Sequence, residues 1–136
     1  MAVDTTLAAL RSAAKGLLFT SESDSTLRAF LWRRADIGAE TVEPETLRRV
    51  KNLPADLSIA ALPIEKLFAP MTTPQAWHGE EERESVAGFT ALVRLLRGLN
   101  DPQAFRVGSG PDITAYALGK TDTGDIAGVW FTLTET

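Results

Sequence analysis

The sequence predicts an α+β domain of mixed α/β content, with one small mixed sheet held between helical layers. Three observations predict it. Residues 80–99 repeat apolar side chains at Val86, Phe89, Leu92, Val93, Leu96 and Leu99, in steps of three and four that make one broad helical face. Short apolar runs at 27–33, 57–62, 104–107, 113–118 and 127–133 have the length of strands. Their order along the chain is helix, strand, helix, strand, long helix, then three strands. With 136 residues, 44% of them apolar and 24% charged, the chain is expected to form one domain, residues 1–136, around one core.

Each element has a local reason. Leu7, Leu10, Ala14, Leu17 and Leu18 recur at helical spacing, so residues 5–15 form the first helix, with Asp4 as its cap and Gly16 as its stop. Residues 18–24 turn small and polar and are expected to be a loop. In 27–33, Phe30 and Trp32 share one face while Leu27, Ala29 and Leu31 share the other, which predicts a strand covered on both sides. Pro44 opens a short helix over 44–51, with Leu47 and Val50 on one face. Residues 57–62 form a strand leading into a turn at 63–68. Thr73-Pro74 starts a helical turn over 74–78. In the long helix Glu80, Glu81, Glu82 and Glu84 lie early and Arg94 and Arg97 late, the order the helix dipole favours. Asn100-Asp101-Pro102 ends it. Residues 122–124 form the turn of a hairpin between the last two strands. The stretch 33–54 is the least patterned.

Composition narrows the function. There is no cysteine, which fits a reducing cytoplasm and removes thiolate chemistry. The start of the chain does not read as a secretory signal, and no apolar run approaches the ~20 residues of a membrane span. Eighteen acids against fourteen bases give a net charge of −4. That balance argues against direct nucleic-acid binding and permits a basic protein partner.

Catalysis has little to work with. His78 is the lone histidine. It reads as a surface histidine at the start of a helix, or as a metal ligand with Glu81 or Glu82 at helical spacing. No phosphate-binding loop or nucleophile elbow occurs. The expectation is therefore no catalytic residue, no cofactor and no metal site of the chain's own.

Binding candidates are stronger. Glu22, between Ser21 and Ser23, follows the apolar Leu17, Leu18 and Phe19. It reads either as a turn-capping acid or as a carboxylate held outward, able to accept bidentate arginine contacts as a phosphate does. Trp77 reads as a core or staple residue, or as an interface anchor. Thr136, after Glu135, reads as a frayed end or as a hydroxyl that reaches into a cleft. Trp32 and Trp130 lie in strands and are expected in the core.

These residues also carry a resemblance. GLLFTSES at 16–23, Phe30 to Trp32, TTPQ at 72–75 with Trp77, Asp101 to Gln103 with Arg106 and Gly108, Gly124 to Gly128, and the final Glu135-Thr136 follow in order. The chain resembles the nuclease A inhibitor family nearly end to end. The resemblance implies a three-layer α-β-α sandwich. It implies a small acidic protein that blocks a magnesium-dependent, sugar-non-specific DNA/RNA endonuclease in a one-to-one complex. In that picture Glu22 takes the place of the substrate phosphate toward nuclease arginines, and Thr136 contacts the partner's magnesium. Trp77, with Glu80, Glu81 and Glu82, helps fix the dock, and Ser21, Ser23 and Glu135 count with them among the partner-binding residues. Because Thr136 must reach the magnesium, an extension beyond it is expected to be harmful. Ala76 and His78 depart from the family pattern, which has an acid before this tryptophan and an aromatic after it, and the 108–112 turn also differs. The alternative is an interaction domain of the same fold with a non-nuclease partner. A small hydrolase built on His78 is the third reading.

Overall fold

A computed structural model describes residues 2–109 and 111–135. The chain runs α1 (Ala2–Ala14), β1 (Leu18–Thr20), β2 (Asp24–Thr26), β3 (Arg28–Trp32), α2 (Arg34–Ile37), α3 (Pro44–Val50) and β4 (Ile59–Leu62). It continues through α4 (Ile64–Thr72), α5 (Glu80–Arg97), β5 (Asn100–Val107), β6 (Asp112–Lys120) and β7 (Ile126–Thr134). Helix α1 starts ahead of Asp4, whose side chain lies outside the described residues. It buries Leu10 and Ala14 as its spacing predicts. Helix α5 buries Phe89, Leu92 and Leu96 completely, because steps of three and four return to one side of a helix.

The five-stranded sheet has the order β3-β7-β6-β5-β4. Every adjoining pair is antiparallel, so the sheet is not mixed in direction as expected. The reason is local: β5, β6 and β7 follow one another through short turns, and a short turn can join only antiparallel neighbours. Side chains alternate between the two faces. Ala115 and Ala117 of β6, with Val129 and Phe131 of β7, pack against Leu10, Phe68, Phe89, Leu92 and Leu96 from α1, α4 and α5. Tyr116, Leu118, Phe105 and Ile126 point the other way, toward Ile37 of α2 and Leu47 of α3. The result is the three-layer α-β-α arrangement. As expected, Phe30 and Trp32 share the second face and Ala29 and Leu31 the first. Trp32 and Trp130 pack against the second core, with Lys51 over one indole and Arg28 over the other. Gly128 allows the closest approach in the sheet: a Cβ there would sit 2.0 Å from the Ala117 carbonyl oxygen, so no other residue fits.

Four further expectations need correction. Residues 63–68 are not a turn but the first part of α4. Ile64, Leu67 and Phe68 are buried on one side of it, and Pro70 falls in its last turns, where the chain is ending its helical run. Residues 18–24 are not a loop but most of a β1–β2 hairpin. Strand β5 begins at Asn100 rather than Ala104. Its register shifts between Asn100 and Gln103, and Asp101 takes a φ of 50°, which accommodates Pro102 inside the strand. Residues 76 and 77 form a hydrogen-bonded turn instead of a turn of helix. The turn read at Gly108-Ser109-Gly110 lies partly outside the described residues, at Gly110.

Candidate functional site

The β1–β2 hairpin carries Glu22 at its tip, and it is fixed from below and from the side. Below, Phe19 of β1 is 4% exposed and stacks on Phe131 of β7 at 4.5 Å between ring centroids. Phe68 and Phe89 meet the same ring edge-on, so one side chain ties the hairpin to α4, α5 and the sheet. From the side, the hairpin is laced to β7. Thr134 N donates to Ser21 Oγ at 3.0 Å, and Glu22 N donates to Thr134 O at 3.2 Å. The hydroxyls of Ser23 and Thr134 lie 2.7 Å apart, and Thr132 N donates to Ser25 Oγ at 3.0 Å. Ser21 N closes the tip onto Ser23 O at 2.9 Å. Glu22 itself is exposed.

This lacing brings Glu22 to the end of β7, next to the last residues of the chain. Glu135 N donates to Pro111 O at 3.0 Å. The Glu135 carboxylate pairs with Arg106 of β5. Thr136 lies outside the described residues. Glu22, Lys66, Arg106, Thr134 and Glu135 together line a hollow of about 360 Å³ floored by Leu67 and Leu133.

A second hollow, of about 700 Å³, adjoins it, because Thr20 and Pro70 line both. Its walls include Leu18, Met71, Trp77, Glu81, Glu82 and Val86. Trp77 is 74% exposed and Leu18 44%, so Trp77 is not the core residue that one reading of its position allowed. Its turn is closed twice: His78 N donates to Gln75 O at 3.1 Å, and Gln75 N donates to His78 Nδ1 at 3.2 Å. The Trp77 and His78 rings meet edge to face at 4.4 Å.

The acids that open α5 divide. Glu80 and Glu81 are exposed, whereas Glu82 Oε1 accepts the Gly79 N–H at 2.7 Å and so serves the helix start. His78 is engaged through Nδ1 with its own turn, and Arg83 holds its carbonyl at 3.1 Å. Among the described residues, no group of three or more His, Asp or Glu side chains is arranged to hold a metal ion. No helix of the described residues is long and apolar enough to cross a membrane.

Sequence reading passed over Ser25, Lys66, Arg106 and Thr134 as members of this surface. One signal was available. Ser21, Ser23 and Ser25 alternate with period two, the spacing of side chains on one side of a strand. Nothing local marks Lys66, and Arg106 stood only among the residues that carry the family resemblance, with no contact assigned to it.

The fold and this surface define an α-β-α sandwich that gathers a laced acidic hairpin, the end of its last strand and an exposed indole on adjoining hollows. The chain belongs to the nuclease A inhibitor-like protein family, whose model matches residues 4–136. A search of the curated proteins found no match.

Proposed function

We propose that this chain, as one domain over residues 1–136, inhibits a magnesium-dependent, sugar-non-specific endonuclease by occupying its active site. Glu22 stands in for the substrate phosphate and accepts arginine hydrogen bonds from the nuclease. Thr136 offers its oxygen to the partner's magnesium, a hard cation that favours oxygen ligands. Trp77, with Glu80 and Glu81, supplies a contact to one side, while Glu82 keeps the helix start in place. The complex is one-to-one and involves no chemistry on the inhibitor, no cofactor and no direct hold on nucleic acid. Its setting is the cytoplasm of the producing cell.

The observation that carries this reading is the hydrogen bond from Glu22 N to Thr134 O. A plug needs its phosphate mimic and its metal-directed residue within reach of one cleft, and that bond sets the hairpin tip against Thr134, two residues before Thr136. Family membership supplies the class of partner. The departures at Ala76 and His78 favour a second reading, in which the same surface serves a protein other than a nuclease.

The test is DNA cleavage by such a nuclease with the chain at equimolar and tenfold excess. Stoichiometric, reversible inhibition is expected, with association slowed by salt as charges are screened over ~10 Å at 0.1 M. Glu22→Gln and removal of Thr136 should each relieve it. Full inhibition by both variants would overturn the assignment, and no inhibition by the parent chain would shift the reading to a different partner.

A further inference from the structure

We infer that Arg106 is a positioning residue that holds the end of the chain ready for its partner; this rests on the inhibitor reading and adds a residue to it. Arg106 sits on the face of β5 that otherwise carries apolar side chains toward α4, between Ala104 and the end of the strand. Its register neighbours on that line are Ala60 of β4 and Ala115 of β6, and Ala115 is followed by Phe131 of β7. Because Ala115 lies on the β7 side, the guanidinium has room to cross the sheet surface. It ends at the Glu135 carboxylate, one residue beyond β7. Arg106 is only partly buried, so the pair adds little stability, and what it fixes is the place of the Glu135 carboxylate.

The pairing acts on a segment that has little else. Strand β7 ends at Thr134, and beyond it the described main-chain bond is Glu135 N to Pro111 O. Side chains at about one-third and one-half exposure make a pair of small intrinsic stability. Its effect is therefore on the position of the tail and not on the fold. The same hollow gathers Glu22 and Glu135 with two cations, Lys66 and Arg106, and Arg106 is paired with Glu135. Ordering the end before binding removes an entropic cost that a loose tail would meet at the moment of docking.

The experiment compares the parent chain, Arg106→Gln, Glu135→Gln and the double variant, with Arg106→Lys as the conservative control. Two quantities are read: amide hydrogen exchange at Glu135 in the free protein, and inhibition of the nuclease. Each single variant should speed Glu135 exchange and weaken inhibition by about three- to tenfold, the range for one pre-ordered side chain. The double variant should be no worse than either single, and Arg106→Lys should recover part of both readouts. Thermal unfolding of all five should coincide within a few degrees. Unchanged Glu135 exchange in Arg106→Gln overturns the proposal, as does faster exchange with undiminished inhibition. Losses that multiply in the double variant also overturn it, because Glu135 would then act on the partner directly. A parent chain that inhibits no nuclease defeats the inhibitor reading alone, and the exchange comparison still decides whether Arg106 orders the tail.

Discussion

Strand β7 joins two ends of the molecule that treat acids in opposite ways. At its start, Asp125 is 7% exposed and taken up by the fold. Its Oδ1 accepts Arg34 N at 2.6 Å and its Oδ2 accepts the Thr123 hydroxyl at 3.2 Å, while its own N–H donates to Thr121 Oγ1 at 3.1 Å. At the far end of the same strand, Glu22 is exposed and held through its main chain by Thr134. One acid closes a turn and starts α2. The other is carried on a laced hairpin. Equal charge and similar loop settings therefore do not make equal candidates; what separates them is that Asp125 is buried and Glu22 is exposed.

The largest effect should come from the closed end. Asp125→Ala strips the Arg34 amide and the Thr123 hydroxyl of a buried acceptor and should cost about 2–4 kcal/mol, read by urea unfolding. Inhibition per folded molecule should survive, and its loss would show that the two ends are not independent. Glu22→Ala should do the reverse. Its unfolding midpoint should match the parent while inhibition falls by about a hundredfold, as for a central interface residue. A matched loss of stability would mean that Glu22 is structural, like Asp125. Trp77→Ala should weaken inhibition by about tenfold and leave the melting temperature nearly unchanged, since most of the ring is already in water. Ser23→Ala removes the hydroxyl pairing with Thr134 and should cost about 0.5–1.5 kcal/mol, with a few-fold loss of inhibition from a looser tip. If stability and inhibition both hold, the lacing is not what fixes Glu22.

The smallest effect lies between the two ends. Burial raises the Tyr116 phenol above its ordinary value. The fold keeps it neutral, so its contribution is complete below the unfolded value of about 10 and is lost as pH climbs through the higher folded value. Tyr116→Phe should flatten that alkaline decline, and identical pH profiles would show that the phenol does not report on the core.

Where periodicity is strong, the sequence was legible. Helix α5 and the two faces of β3 follow from spacing, because burial acts on every third, fourth or second side chain, and the β6–β7 hairpin follows from two apolar runs joined at the turn of Asp122, Thr123 and Gly124. The β1–β2 hairpin was not legible. Its strands are three residues each and mostly polar, and what stabilises them is Phe19 on Phe131 and three serines against β7, contacts spanning more than a hundred residues. Helix α4 was masked by its flanking Pro63 and by Pro70. At the site, Glu22 and Trp77 stood out by residue type, and the resemblance assigned their roles. Arg106 was a matching residue without a role, since its pairing comes from the Glu135 that folding brings beside it.

The three tryptophans are sorted by the fold into one bathed in water and two lodged beneath cations on the second face of the sheet. Their emission should therefore separate. A water-soluble quencher would reach Trp77 first, and the remaining signal would come from Trp32 and Trp130. Loss of the quenchable fraction on adding a partner would mark occupation of the indole hollow, while a shift in the protected fraction would mark opening of the sheet. The chain carries an unlabelled optical readout that distinguishes docking from unfolding in a single cuvette.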